Sequence, residues 1–344
     1  MPTTEILTPN PENLALAAAA IQAGDLVAFP TETVYGLGAN ALDAAAVAKI
    51  FIAKGRPSSD PLIVHLSGPE QLEQVALNIP PLAMELAAAF WPGPLTLILP
   101  KAPVIPDNTT AGLPRVGLRV PQHPIALALI RAAERPICAP SANLFSRPSP
   151  TTAQHVWEDL AGRVSLILDG GASPLGLEST IVDLCQDPPQ VLRAGGLSLE
   201  ALRAYIPEVG FRPRTLQTDE SAMAAPGQLL KHYSPRARVE VFLGSNEQIA
   251  LEILARAYHY QVAGQKVGLL ISEALAQDLN LPGAEVFILG GTDESAARSL
   301  FAALRDLDRR GVDCILAQGY EGGGLALALQ DRLMRAAEGR VIRL

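Results

Sequence analysis

The stretch AKGRPSSDPLIVHL, residues 53–66, sets Lys54 and Arg56 between an apolar helix pattern and an apolar strand pattern. Two fixed cations in such a joint suit chemistry on phosphate, where positive charge offsets the negative charge that shifts as a bond to phosphorus breaks. A plainer reading competes. Cations at a helix C-terminus gain about 0.3–1 kcal/mol from the macrodipole, and Asp60 is near enough in sequence to pair with either one. In the strand that follows, His65 shares a face with Ile63. A lone strand histidine is more often structural than catalytic, although His65 is also the candidate base of this stretch.

Further polar residues gather at the ends of other apolar runs. FPTETVYGLGANA crowds Thr31, Glu32, Thr33 and Tyr35 at a strand end, where open α/β sheets take ligands, with Gly36 and Gly38 permitting close backbone approach. In ICAPSANLFSRPSPTTAQ, Ser141 and Asn143 point the same way from an extended segment. Ser149–Pro150 reads there as a helix N-cap followed by proline at the first position, with Thr151 and Gln154 as a competing capping box. Capping accounts for these residues, yet a helix N-terminus also receives anions, and Arg147 precedes it. LPRVGLRVP adds Arg115 and Arg119 on one strand face; LESTIVDL and QVLRAGG add Ser179, Thr180 and Arg193. Residues 101–163 hold seven Lys/Arg against four Asp/Glu, reversing the acidic balance of the whole chain. A concave basic pocket for a polyanion is the economical reading. The sequence contains no P-loop, no HxSxxxH-type motif, no metal-ligating cluster and no persuasive Ser/His/Asp set.

These residues must be placed by a larger scaffold. A chain of 344 residues exceeds one ordinary core, and 49% hydrophobic against 18% charged residues describes a packed globular protein. A net charge of −8 argues against broad nucleic-acid binding over the surface. Cys138, Cys185 and Cys314 lie far apart, which suits a reducing cytoplasm. With no signal peptide and no membrane span read from the sequence, a cytoplasmic location is expected. Residues 1–208 read as a mixed α/β domain with about seven strands. Residues 209–237 lose periodicity and form a linker or lid, in which GQLLKHYSP is too rich in functional side chains for a spacer. Residues 238–344 alternate strand and helix four times, which predicts a smaller Rossmann-like parallel α/β domain. Its helix ESAARSLFAALRDLDRRG puts Ala297, Leu300, Phe301, Leu304 and Leu307 on one stripe. EGGG at 321–324 reads as a loop, and this domain is assigned no chemistry.

KGRPSSDPLIVH together with PSANLFSR resembles the KxR…SxN signature of the YrdC-type threonylcarbamoyl-AMP synthases. FPTETVYGLG, FWPGPLTLIL, ESTIVDL and LRAGG resemble that family's other blocks, in the same order, and APGQLLKHYSPRA before a small α/β domain resembles its long two-domain form. The resemblance implies a YrdC-like first domain that joins L-threonine, bicarbonate or CO2 and ATP into threonylcarbamoyl-AMP, releasing pyrophosphate, with Mg2+ accompanying the ATP. It also implies handover of the product to proteins that place it on tRNA beside the anticodon; direct contact with tRNA is left open, and an RNA-binding module without catalysis is the rival reading. By the family's pattern, Thr33, His65, Arg119, Ala139 and Ser179 match positions around threonine. Lys54, Arg56, Asp60, Arg115, Ser141, Asn143, Ser149 and Arg193 match positions around ATP, with Lys54 and Arg56 the catalytic pair and Tyr233 closing over the nucleotide. Two residues depart from the pattern: the family commonly has asparagine where Asp60 stands and a hydroxyl residue where Arg115 stands. A carboxylate beside a triphosphate is unfavourable unless it is paired or helps hold Mg2+, so an Asp60–Arg115 compensating pair is expected.

Overall fold

The structure, a computed structural model, describes residues 3–211, 223–227 and 229–344. It divides into two compact units, Met1–Phe145 with Ser149–Gln228 and Ser146–Pro148 with Leu229–Leu344.

The first unit is built on a mixed sheet. In chain order its strands are β1 (Glu5–Leu7), β2 (Val27–Phe29), β3 (Gly36–Asn40), β4 (Ile63–His65), β5 (Leu95–Pro100), β6 (Arg115–Arg119), β7 (Ile137–Cys138), β8 (Leu166–Leu168), β9 (Thr180–Asp183) and β10 (Gln190–Arg193). Their order across the sheet is β1-β8-β2-β3-β7-β4-β6-β5-β9-β10. Ten strands replace the seven or so expected. The additions include β1, a three-residue edge strand, and β3, whose sequence GLGAN lacks the β-branched residues that mark a strand. Glycine is required inside β3: a Cβ on Gly38 would stand 2.8 Å from both Ile137 Cγ2 and a Phe29 ring carbon.

Alternation along β2 sends Val27 and Phe29 into one core with the helices Pro11–Gln22 and Pro124–Ala133, while Ala28 joins the core on the other face. That second core buries Ala46, Val47, Ile50 and Ala53 of the helix Ala44–Lys54. Asp43 caps this helix by accepting from the Ala45 N–H, and Gly55 ends it in the left-handed conformation at φ 63°. The Arg56 N–H then reaches back 3.0 Å to Phe51 O, completing a Schellman turn. Lys54 and Arg56 are thus delivered on either side of a rigid reversal.

The second unit holds a five-stranded sheet, β11 (Arg238–Leu243), β12 (Val267–Ile271), β13 (Glu285–Ile288), β14 (Cys314–Gln318) and β15 (Val341–Arg343), parallel throughout. The order β13-β12-β14-β11-β15 inserts β14 between the first two strands, unlike the dinucleotide-binding arrangement, in which they are neighbours. The stripe Ala297, Leu300, Phe301, Leu304 and Leu307 is buried, on the helix Asp293–Arg309 that Thr292 and Ser295 close with a capping box. Among the described residues no helix is long and apolar enough to cross a membrane.

Candidate functional site

Three buried cations of the first unit sit at strand and helix ends, and each is hydrogen-bonded to backbone oxygen. Lys54, 2% exposed, points Nζ at the Ser141 carbonyl, 2.5 Å away, and at the Asn143 carbonyl. The Phe145 N–H returns a bond of 2.9 Å to Lys54 O, so the Lys54 turn and the Ser141–Asn143 segment are clamped from both sides. Ser141 Oγ donates to Asn143 Oδ1 at 2.5 Å, matching the common direction expected of this pair. Arg56 donates to Asp60 O at 3.2 Å and to Pro61 O at 2.8 Å. Arg193, at a register shift where β10 meets β9, donates through Nε to Ser179 O and through Nη2 to Ser179 Oγ, both at 3.1 Å. The following Gly195 packs so tightly on this segment that a Cβ would lie 2.3 Å from Glu178 O and 2.5 Å from Thr180 N.

Asp60 lies among these cations. It is 0% exposed, and Arg56 Nη2 stands 2.8 Å from its Oδ1. Burial raises its pKa, against the opposing pull of Arg56, Lys54 and Arg193.

A second cluster is built by strand register. Parallel pairing of β4 with β6 sets His65 beside Arg119. Arg119 donates to Glu32 Oε1 at 2.6 Å and to Gly93 O at 3.2 Å. Thr31 and Thr33 share a hydroxyl–hydroxyl bond of 2.7 Å in the loop carrying Glu32. The Ala139 N–H bonds Ile63 O at 2.9 Å, bringing the backbone at 139 beside β4. Ser179 Oγ, 2.8 Å from Thr96 Oγ1, links this region to Arg193. Burial, then the Arg119 charge, pushes the His65 pKa down to about 3, and its Nδ1 has no hydrogen-bond partner among the described residues. Such an imidazole is neutral at pH 7 and a feeble base, which weighs against His65 as the base of carbamate formation.

The anticipated Asp60–Arg115 pair is not formed. Arg115 binds Asp183 Oδ2 at 2.7 Å, because β5 pairs with both β6 and β9 and carries their charged ends side by side. Asp60 takes the nearer Arg56 instead. Ser149 is not an N-cap: Thr152 caps the helix Ala153–Leu160 by accepting from the His155 N–H, and Ser149 Oγ donates to buried Glu178 Oε1 at 2.6 Å. The capping box from Thr151 to Gln154 fails as well, because the cap stands one residue later, at Thr152. Arg147 belongs to the second unit and pairs there with Asp308 at 2.9 Å. Tyr233 also lies in that unit, 1% exposed, its ring 5.2 Å from Phe301 and 5.3 Å from the Arg332 guanidinium.

Sequence reasoning passed over Thr96 and Glu178, and set Glu32 at a ligand-taking strand end without giving it a role. Thr96 is hidden in an apolar strand; the carboxylates had a signal, each being an acid inside a run that otherwise reads as buried. Of the expected lid, residues 212–222 and 228 lie outside the described residues. The described part, Met223–Gly227, lies against the sheet of the first unit: the Met223 N–H bonds Ser59 O at 3.0 Å and Arg193 reaches Pro226 O at 3.4 Å. Ala225 packs with Ile63, Ile98, Ile181 and Leu192. About 10 Å³ remains beneath it, room for one water.

A mixed sheet whose ends gather buried cations thus stands next to a buried polar cluster of His65, Arg119 and Glu32. Residues 19–195 match the Sua5/YciO/YrdC family, described as telomere recombination, and residues 197–338 match the threonylcarbamoyl-AMP synthase C-terminal domain. The chain belongs to this threonylcarbamoyl-AMP synthase family. It is 49% identical to threonylcarbamoyl-AMP synthase of Pyrococcus abyssi, over 96% of this chain and 95% of that one. The enzyme of the same name from Bacillus subtilis is 44% identical, over 99% and 97%. The crystal structure of P. abyssi Sua5 complexed with L-threonine superposes with a TM-score of 0.93 at 46% identity, covering 100% of this chain and 99% of that one. E. coli YciO, with a TM-score of 0.51 at 26% identity, covers 57% of this chain and 96% of its own.

Proposed function

We infer that the protein makes L-threonylcarbamoyladenylate from L-threonine, bicarbonate and ATP, releasing pyrophosphate, for the modification of tRNA next to the anticodon. In chemical class this is nucleotidyl transfer. Threonine's amine captures bicarbonate or CO2 as a carbamate. A carbamate oxygen then bonds to the α-phosphorus, and the bond to the β-phosphate oxygen breaks as pyrophosphate leaves. No protein nucleophile is required; the reaction asks for positioning and for charge placed where the leaving group develops it. The observation carrying this reading is the buried set Lys54, Arg56 and Arg193, held by backbone oxygens beside Ser141 and Asn143.

In this reading Lys54 and Arg56 stabilise the transferring phosphates, with Arg193, Ser141, Asn143 and Ser149 holding the nucleotide. Arg119, fixed by Glu32, takes the threonine carboxylate, with Thr33, His65, Ser179 and the Ala139 backbone around it. Arg115, tied to Asp183, contributes to the nucleotide side only at its rim. Mg2+ entering with ATP would supply charge neutralisation on the phosphates, and Asp60, whose two buried carboxylate oxygens accept no well-formed hydrogen bond among the described residues, is the residue suited to hold it. Residues 209–237 act as a lid that keeps water from the labile carbamate; the Met223–Gly227 segment must lift for a nucleotide to enter. The site belongs to a cytoplasmic enzyme whose product passes to tRNA-modifying partners.

The test is pyrophosphate release by the purified protein with Mg-ATP and bicarbonate. Release that requires L-threonine and prefers it to L-serine is expected; absence of release together with salt-sensitive tRNA binding would favour the RNA-binding module instead.

A further inference from the structure

A fully buried carboxylate is an odd occupant for a phosphate site. Asp60 is 0% exposed, and although Arg56 Nη2 stands 2.8 Å away, neither Oδ1 nor Oδ2 accepts a hydrogen bond of good geometry among the described residues. Ionised carboxylates cost several kcal/mol to bury unless both their charge and their lone pairs are met. Here the charge is met and the lone pairs are not. Hydrogen-bond donors would satisfy them, but so would a hard divalent cation, which takes carboxylate oxygen directly and needs no N–H.

Granted the adenylyl-transfer chemistry of this site, we propose that Asp60 makes nucleotide binding conditional on the divalent cation. Without nucleotide, the carboxylate stands in for phosphate and occupies Arg56. Metal-free ATP meets a like charge at Asp60 and an Arg56 already engaged. When Mg2+ arrives with the phosphates, Asp60 turns its unmet oxygens to the metal, its repulsion of the nucleotide vanishes, and Arg56 is released toward the phosphates. An asparagine at this position offers a neutral oxygen and a nitrogen donor, and carries no such condition. Asp60 thereby selects the magnesium complex over free nucleotide, a discrimination that Lys54 and Arg193, attracting both forms, do not provide.

The measurement is a calorimetric titration of α,β-methylene-ATP, whose α–β linkage cannot break, into the full-length protein with Mg2+ and again with EDTA. The wild type is expected to bind about tenfold more tightly with the cation. In Asp60→Asn, metal-free binding strengthens and the ratio falls toward one; Asp60→Ser gives the same collapse should the asparagine variant be insoluble. A ratio unchanged by loss of the carboxylate overturns the proposal. Failure of the wild type to bind the analogue under either condition instead removes the nucleotide site itself, and the proposal with it.

Discussion

The two units weight carbonyl and carboxylate partners differently around their buried cations. In the first, Lys54, Arg119 and Arg193 are hydrogen-bonded to carbonyl oxygens of Ser141, Asn143, Gly93 and Ser179. In the second, buried Arg332 and Arg335 share the carboxylate of Asp331, at 2.8 and 3.0 Å. Carbonyl dipoles satisfy the N–H groups yet leave the full positive charge standing, whereas a carboxylate cancels it. Hydrogen-bond satisfaction and charge neutralisation are therefore separate properties, and in the first unit Asp60 is one carboxylate facing Arg56, Lys54 and Arg193 together. Arg119, held by both Gly93 O and Glu32, sits between these extremes.

The sharpest way to break this contrast is Lys54→Ala. Threonine-dependent pyrophosphate release should fall about 10³-fold, roughly 4 kcal/mol of transition-state stabilisation, while far-ultraviolet circular dichroism stays native. Retained turnover would show that the carbonyl-held lysine is structural. Asp331→Asn should do the reverse, costing about 3 kcal/mol in urea unfolding by stranding buried charge, with turnover per folded molecule within about twofold. His65 gives a smaller, pH-dependent difference. Its folded pKa of about 3 lies below the unfolded value of 6.5, so the unfolded chain binds the extra proton and stability falls as pH drops between those values. Each pH unit in that window costs about 1.4 kcal/mol. Between pH 7 and 5, His65→Gln should lose about 2 kcal/mol less than the wild type; parallel losses would mean that His65 is accessible to protons when folded.

Local punctuation was legible in the sequence, and long-range partnership was not. The stripe from Ala297 to Leu307 acts through neighbours within a turn or two and is buried as expected, and the Asp43 cap and Gly55 stop are equally local features of their helix. The helix start after Ser149 fails by position: four hydroxyl and proline candidates within four residues offer competing caps, and the choice of Thr152 rests on where the segment meets Glu178. Arg115 shows the larger gap. Its partner Asp183 is 68 residues away, and only the placement of β5 between β6 and β9 brings the two together. The strand β3 was missed because its glycines serve close packing instead of propensity. Families of motifs overcame this for the site as a whole, since they carry tertiary information that periodicity lacks.

The register that seats His65 beside Arg119 also governs when the pocket first exists. β4 is flanked by β7 and β6, both made long after it, while Arg193 comes later still. A chain still being synthesised can form the Schellman turn at Gly55 and hold Lys54 at its end, yet has neither Ser141 nor Ser179 to set beside it. Contacts of such long sequence separation form slowly and together. The full set of cations and hydroxyls therefore exists in one chain only once nearly the whole first unit has been made.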